Sequence, residues 1–395
     1  MKQATNGGWN KMLDFNYHIP TKIQFGARRS QLAGQIIKQL GTKKPLIVTD
    51  EGVINAGLAR ILTQSLEKEG ISYEIFSDVQ SNPTLNNVEA GTKLYKDIGT
   101  DCLIGLGGGS PMDVSRGIGV IAVHGGKIEE FCLGKRAIEK PPPPIISIPT
   151  TAGTGSEVSP GGVVTDPVSK LKLVFGSPLL FSEVALIDPE LTYSLPSHLT
   201  AWTGLDALSH AVEGFLSQRS QPIVDLYARE AVRLISKQLV IAYHNGENRE
   251  ARQSLMLAAL LGGMAMRGGL GLVHTLAHVI GGHIDLPHGL NCALLLPEVM
   301  VHNLPATKEK MAALAVDLGV AKPDMNETRR AEAGVSAVRD LLKDLRVELP
   351  EDLKVGEKVL GAWVSAAMEY TRYRPNYPRE MTAEQMKSML RRVFS

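Results

Sequence analysis

The sequence is poor in cysteine and in long apolar runs, and each shortage excludes something. Three cysteines, Cys102, Cys132 and Cys292, lie far apart among 395 residues and are odd in number. They form no CxxC pair and no disulfide framework, which fits a reducing, cytoplasmic setting. The longest apolar run, Leu255 to Met266, is too short to span a bilayer and stops at Arg267. Met1 to Asn10 is polar and glycine-rich with no apolar stretch behind it, unlike a secretory leader. Net charge is +1, with no basic stripe to suggest nucleic acid and no acidic block to suggest a solvated tail. Low-complexity sequence is confined to Pro141–Pro144. A chain of this composition is expected to fold as two domains, with small molecules rather than nucleic acid or membrane as partners.

What is present is a change of pattern along the chain. In the first half, strand-like and helix-like segments alternate. Pro45 to Asp50, Ser72 to Phe76, Asp101 to Leu106 and Ile145 to Ile148 read as buried strands, and Ile54 to Gly70 and Val88 to Ile98 as helices. That alternation predicts a parallel sheet with crossover helices. From His198 onward helical periodicity dominates, over Thr200–Gln218, Pro222–Tyr243, Arg249–Met266, Val273–Ile280, Ala306–Leu318, Glu327–Leu345 and Thr382–Phe394. The reading is an α/β dinucleotide-binding domain over residues 1–195 and an all-α, metal-binding domain over 196–395.

Two loops follow strands in the first half. Gly107-Gly-Gly-Ser-Pro-Met-Asp113 is a glycine turn leading into a helix, where backbone N–H groups and the helix dipole suit a phosphate. Pro149-Thr-Thr-Ala-Gly-Thr-Gly-Ser-Glu157 carries hydroxyls suited to phosphate, ribose or amide. Either alone is also what a tight or solvated turn looks like. Together, at the carboxyl ends of parallel strands, they favour a dinucleotide. Asp50, ending an earlier strand, suits a ribose hydroxyl and would repel a 2′-phosphate, favouring NAD over NADP; its bland alternative is a helix N-cap.

The second half concentrates imidazoles. Four of the ten histidines, His274, His278, His283 and His288, fall within fifteen residues. Asp206 and His210 are spaced for one helix face, as are His274 and His278. His288 follows Pro287 and is expected in a loop folding back over the site. Asp206, His210, His274 and His288 have the chemistry for Fe²⁺ or Zn²⁺ with coordination positions left open. His278 and His283 cannot both be needed as ligands, so one is a candidate proton relay or substrate contact.

In the order and spacing of these segments, together with Asn82-Pro-Thr84, Asp285-Leu-Pro-His-Gly289 and Asn376-Tyr-Pro-Arg379, the chain resembles the iron-containing (group III) alcohol dehydrogenase family over nearly its whole length. The resemblance implies a Rossmann-like first domain and a helical second domain, the dehydroquinate synthase-like fold, with the active site between them. It implies metal ligation by Asp206, His210, His274 and His288, and a substrate-side role for His278, with His283 only in support. The cofactor contacts it implies are Asp50, Asn82, Gly108, Gly109, Ser110, Asp113, Thr150, Thr151, Thr154 and Lys172. It further implies an NAD(H)-linked alcohol dehydrogenase or aldehyde reductase, assembled as a homodimer or larger oligomer.

The sequence departs from the family pattern at Met266 and Arg267, and at Ser159-Pro-Gly-Gly162. These positions border the family's substrate pocket. Arg267 suggests a small aldehyde bearing an anionic group, since a guanidinium suits an oxyanion. Three competing readings are a hydroxyacid–oxoacid transhydrogenase, a lyase of the dehydroquinate synthase type, and a non-enzymatic metal-binding protein. Asp206 argues against the lyase, which is expected to carry glutamate there. The two cofactor loops argue against a purely structural role.

Overall fold

The computed structural model describes residues 14–351, 353 and 355–394. Six strands form one parallel sheet: β1 (Lys22–Phe25), β2 (Pro45–Val48), β3 (Glu74–Phe76), β4 (Cys102–Gly107), β5 (Ile145–Pro149) and, after a hairpin, β8 (Val184–Ile187). The hairpin is β6 (Gly161–Asp166) with β7 (Leu171–Gly176), antiparallel and outside the main sheet. Sheet order is β1-β8-β5-β4-β2-β3. Side chains alternate between two apolar layers, as period-two geometry requires. Leu46 and Val48 of β2 and Leu103 of β4 enter one layer, and Ile47, Cys102, Ile104 and Leu106 enter the other.

Helices α1 (Ala33–Gln39), α2 (Glu51–Asn55), α3 (Leu58–Lys68), α4 (Leu85–Asp97) and α5 (Gly109–His124) connect these strands. The helix expected over Ile54–Gly70 is instead two, because Gly57 takes a left-handed conformation (φ 74°) between α2 and α3. The chain moves from β2 outward to β3, then crosses back to β4 on the other side of β2. Ligand crevices form where strand order reverses in this way. The turn after β4 therefore opens beside Asp50, which follows β2, and beside the Thr150 loop that follows β5.

The remaining helices build the second layer around a separate, larger apolar core: α6 (Ser197–Leu216), α7 (Pro222–His244), α8 (Arg249–Ala265), α9 (Leu272–His283), α10 (His288–Asp317), α11 (Glu327–Asp344), α12 (Glu357–Glu369) and α13 (Ala383–Phe394). Two expectations are corrected here. His288 is not in a loop but is the first residue of α10, with Pro287 at the N-cap, where a missing N–H costs nothing. The helix expected from Ala306 is the tail of this same 30-residue element, which continues past Pro297 and Pro305 and leaves helical geometry only at Thr307. The hairpin and α12 were not anticipated. Among the described residues, no single helix is long and apolar enough to cross a membrane.

Candidate active site in the cleft between the sheet and the helices

One cleft of about 1690 Å³ runs from the glycine turn to the histidine cluster. That exceeds the ~300–1,000 Å³ of an ordinary small-molecule pocket, and leaves room for a dinucleotide and a second reactant.

At its helical end three helices deliver side chains to one point. Asp206 and His210 come from α6, His274 and His278 from α9, and His288 from the first turn of α10. The Nε2 atoms of His210, His274 and His288 stand 3.7, 3.8 and 3.7 Å from the same oxygen, Asp206 Oδ1. These separations are too long for hydrogen bonds. They match donor-to-donor spacings around a shared cation with bonds of about 2.0–2.2 Å. Asp206 Oδ1 is buried without a partner, a costly state unless a ligand satisfies it. Burial pushes the His210 imidazole down to about 4, against the pull of Asp206, and holds His288 and His278 well below their usual value. Neutral imidazole is the form that binds a metal. The buried orphan oxygen and the imidazoles that converge on it fit a divalent iron or zinc ion.

Two residues at this site escaped the sequence reading. Glu213, one turn beyond His210 on α6, accepts the backbone N–H of Gly271 (2.9 Å) and Val273 (2.6 Å) and the Nδ1–H of His274 (2.7 Å). It anchors the start of α9 and turns Nε2 of His274 toward Asp206, the outer carboxylate role common at metal sites. Cys292, one turn after His288, is fully buried with Sγ 3.6 Å from His288 Nε2. Both share a helix face with a recognised residue, and that spacing was the available signal.

His278 stands apart from the Asp206 group. Its Nδ1 bonds Tyr370 Oη (3.1 Å), and its ring lies 5.7 Å from Tyr373. Tyr373 and Arg372 line the cleft beside it, from a segment with no sequence signal. His283, at the end of α9, bonds the Val279 carbonyl through Nδ1 (2.8 Å).

At the sheet end, Gly107 has φ 146°, and a Cβ there would sit 2.7 Å from Pro111 and 3.1 Å from Asp50 Oδ2. Only glycine allows that turn. Gly108 caps α5, with Gly109 and Ser110 in its first turn; Ser110 Oγ donates to the Ser81 carbonyl (2.8 Å). Thr150 N donates to the Gly107 carbonyl (2.9 Å), holding the second loop against the first. Thr154 packs on Gly109, and Thr151 Oγ1 beside Gly108 is buried without a partner. Asp50 does cap α2, accepting Val53 N–H through Oδ1 (2.9 Å), while Oδ2 faces the glycine turn. Lys172, on β7, donates to Asn82 Oδ1 (3.0 Å), and Asn82 Nδ2 donates to Asp285 (2.7 Å). The Asp113 carboxylate turns inward, accepting Ser156 Oγ (3.0 Å) and Val163 N–H (2.9 Å). Behind it Arg116, wholly buried, donates to Ser156 Oγ (2.8 Å) and to the Leu180 carbonyl (3.1 Å). Burial raises the Asp113 carboxyl to about 6 and that of Glu157 to about 7. Met266 and Arg267 occupy the turn after α8 and line the cleft, with the exposed Arg267 guanidinium 5.9 Å over the Phe181 ring.

The family model for iron-containing alcohol dehydrogenases matches residues 20–189, and the model for the C-terminal part of that family matches residues 200–394. The chain is 35% identical to a choline dehydrogenase of Bacillus subtilis (strain 168), over 96% of this chain and 95% of the relative. It is 36% identical to an NAD-dependent methanol dehydrogenase of Bacillus methanolicus, over 84% and 87%. A crystal structure of a 1,3-propanediol oxidoreductase superposes with a TM-score of 0.92 at 35% identity, covering 97% of this chain and all of the other.

Proposed function

The chain belongs to the iron-containing alcohol dehydrogenase family, and from that premise we propose that it interconverts a small alcohol and its aldehyde with NAD(H), using a metal held by Asp206, His210, His274 and His288. The observation that carries this is the buried, unpartnered Asp206 Oδ1 approached by three imidazole nitrogens at 3.7–3.8 Å. A divalent ion held there supplies Lewis-acid polarisation of a substrate oxygen, and the nicotinamide supplies or accepts the hydride.

The chain's own residues do the rest. Gly108, Gly109 and Ser110 offer the start of α5 to the diphosphate, and Thr150, Thr151 and Thr154 face it from the neighbouring strand's loop. Asp113 holds these two loops together through Ser156. Asp50 Oδ2 suits a ribose hydroxyl and disfavours a 2′-phosphate, which supports NAD over NADP. Lys172 and Asn82 close the cofactor's flank. His278, fixed by Tyr370 at Nδ1, leaves Nε2 to take or return the alcohol proton.

The reading divides the chain into 1–195 and 196–395, between the end of β8 and the start of α6. It also places a homodimer or larger homo-oligomer in the cytoplasm, with free, buried Cys102, Cys132 and Cys292 supporting a reducing compartment. The test is a panel of alcohols and aldehydes with NADH and NADPH, on protein reconstituted anaerobically with Fe²⁺ and, in parallel, with Zn²⁺. NADH-linked aldehyde reduction that disappears on chelation is expected; metal-independent turnover would overturn the reading. Within the panel, Arg267 and Met266 are proposed to face the substrate. Arg267→Ala is expected to weaken anionic short aldehydes about twofold to fivefold in kcat/KM, the scale of one exposed charge pair, and to spare neutral ones. Equal loss on both classes would remove Arg267 from the substrate site.

A further inference from the structure

We infer that Asp206, His274 and His288 serve two overlapping metal positions, one completed by the imidazole of His210 and the other by the sulfur of Cys292. The inference rests on the metal reading of this site and adds a second, softer way of closing it.

The donor atoms of Asp206, His274, His288 and Cys292 lie within 4.8 Å of one another. Cys292 Sγ stands 3.6 Å from His288 Nε2 and 3.9 Å from His274 Nε2. It is fully buried on the same inner face of α10 as His288, four residues on, so the sulfur is held at the site by the helix and not by chance rotation. The neighbouring Asp206 Oδ1 is buried and without a hydrogen-bond partner. Edges of this length suit tetrahedral bonds of about 2.0 Å to nitrogen and oxygen and about 2.3 Å to sulfur. One set of donors is three nitrogens and an oxygen; the other is two nitrogens, an oxygen and a sulfur. Binding through sulfur forms a metal–sulfur bond, breaks S–H and releases one proton, with no change of oxidation state. The thiolate is the soft ligand of the five, and four protein donors including a cysteine is the closed pattern that zinc favours. The Cys292 position therefore favours zinc over iron, while the His210 position accepts either.

The experiment loads wild type, Cys292→Ser, Cys292→Ala and His210→Ala with Co²⁺ as an optical substitute for zinc, and reads near-ultraviolet sulfur-to-cobalt charge transfer. X-ray absorption on the zinc-loaded wild type is read alongside. Expected are a sulfur band in wild type, a stronger one in His210→Ala, none in either Cys292 variant, and one zinc–sulfur distance of about 2.3 Å. Chelator competition should show zinc affinity falling about tenfold or more in Cys292→Ala, with Fe²⁺ affinity retained. Stoichiometric cobalt and zinc binding in wild type with only nitrogen and oxygen donors would overturn the sulfur position and leave the metal reading intact. Failure of wild type to bind any of these ions would overturn both.

Discussion

The cleft is bounded by two buried polar clusters that obey opposite rules. Beneath the glycine turn, Asp113, Arg116 and Ser156 bond one another and the backbone, and Arg116 has partners on three sides. At the histidine end, Asp206 and its imidazoles converge at 3.7–3.8 Å without bonding. Burial is similar; satisfaction is not. A buried polar group must find a partner, so the first cluster is cement for two loops and the second, on the proposed reading, is a socket. The difference separates residues that hold the site from residues that receive a ligand, although both groups look alike in a list of buried charges.

The sharpest way to break this contrast is to remove the centre of the socket. Asp206→Ala is expected to abolish stoichiometric metal binding and lower kcat/KM roughly a thousandfold or more. The metal-free protein should not melt lower than metal-free wild type, since the lost oxygen had no partner. A large drop in melting temperature of the metal-free form would make Asp206 cement after all. The reverse is expected of Arg116→Ala. It strands the Asp113 carboxylate in a buried site and should cost about 3–5 kcal/mol in denaturant unfolding, with one metal still bound per chain.

A smaller effect is expected where the clusters' logics meet, at Glu213, which is cement for a ligand. Glu213→Gln should weaken metal affinity about 10–100-fold, measured by chelator competition. Unchanged affinity would show that the α9 backbone alone sets His274. The smallest effect concerns Glu157. Its carboxyl, raised by burial to about 7, keeps a proton in the folded chain that the unfolded chain has released above the ordinary carboxylate range. Stability should therefore fall as pH rises from about 4.5 to about 7 and level off above. Glu157→Gln should remove most of that pH dependence in denaturant titrations across this window.

The contrast also explains what was legible beforehand. Asp206, His210, His274 and His278 stood out because one-turn spacing on an apolar helix puts unusual chemistry on one face. The loops after β4 and β5 stood out because glycines and hydroxyls follow apolar strands. Pro287 points to a loop at His288, but it stands at the N-cap of a helix whose apolar contacts override local propensity at Pro297 and Pro305. The β6–β7 hairpin, bearing Lys172, was invisible among glycine, proline and aspartate, which read as loop. Glu213 and Cys292 had helical spacing but ordinary identities: a carboxylate reads as solvated surface and an isolated thiol as core. Tyr370 and Tyr373 reach His278 from more than ninety residues away, and no local pattern encodes such a meeting.

The Asn82 amide has one further consequence. One end accepts from Lys172 on the hairpin, and the other donates to Asp285, three residues before His288. A single short side chain thus acts as a spacer across the mouth of the cleft. Hydride transfer depends steeply on separation, and misplacement by about 1 Å can cost about a hundredfold in rate. If the cleft holds cofactor and substrate as proposed, the distance between its two walls is gauged in part by a contact of the protein with itself.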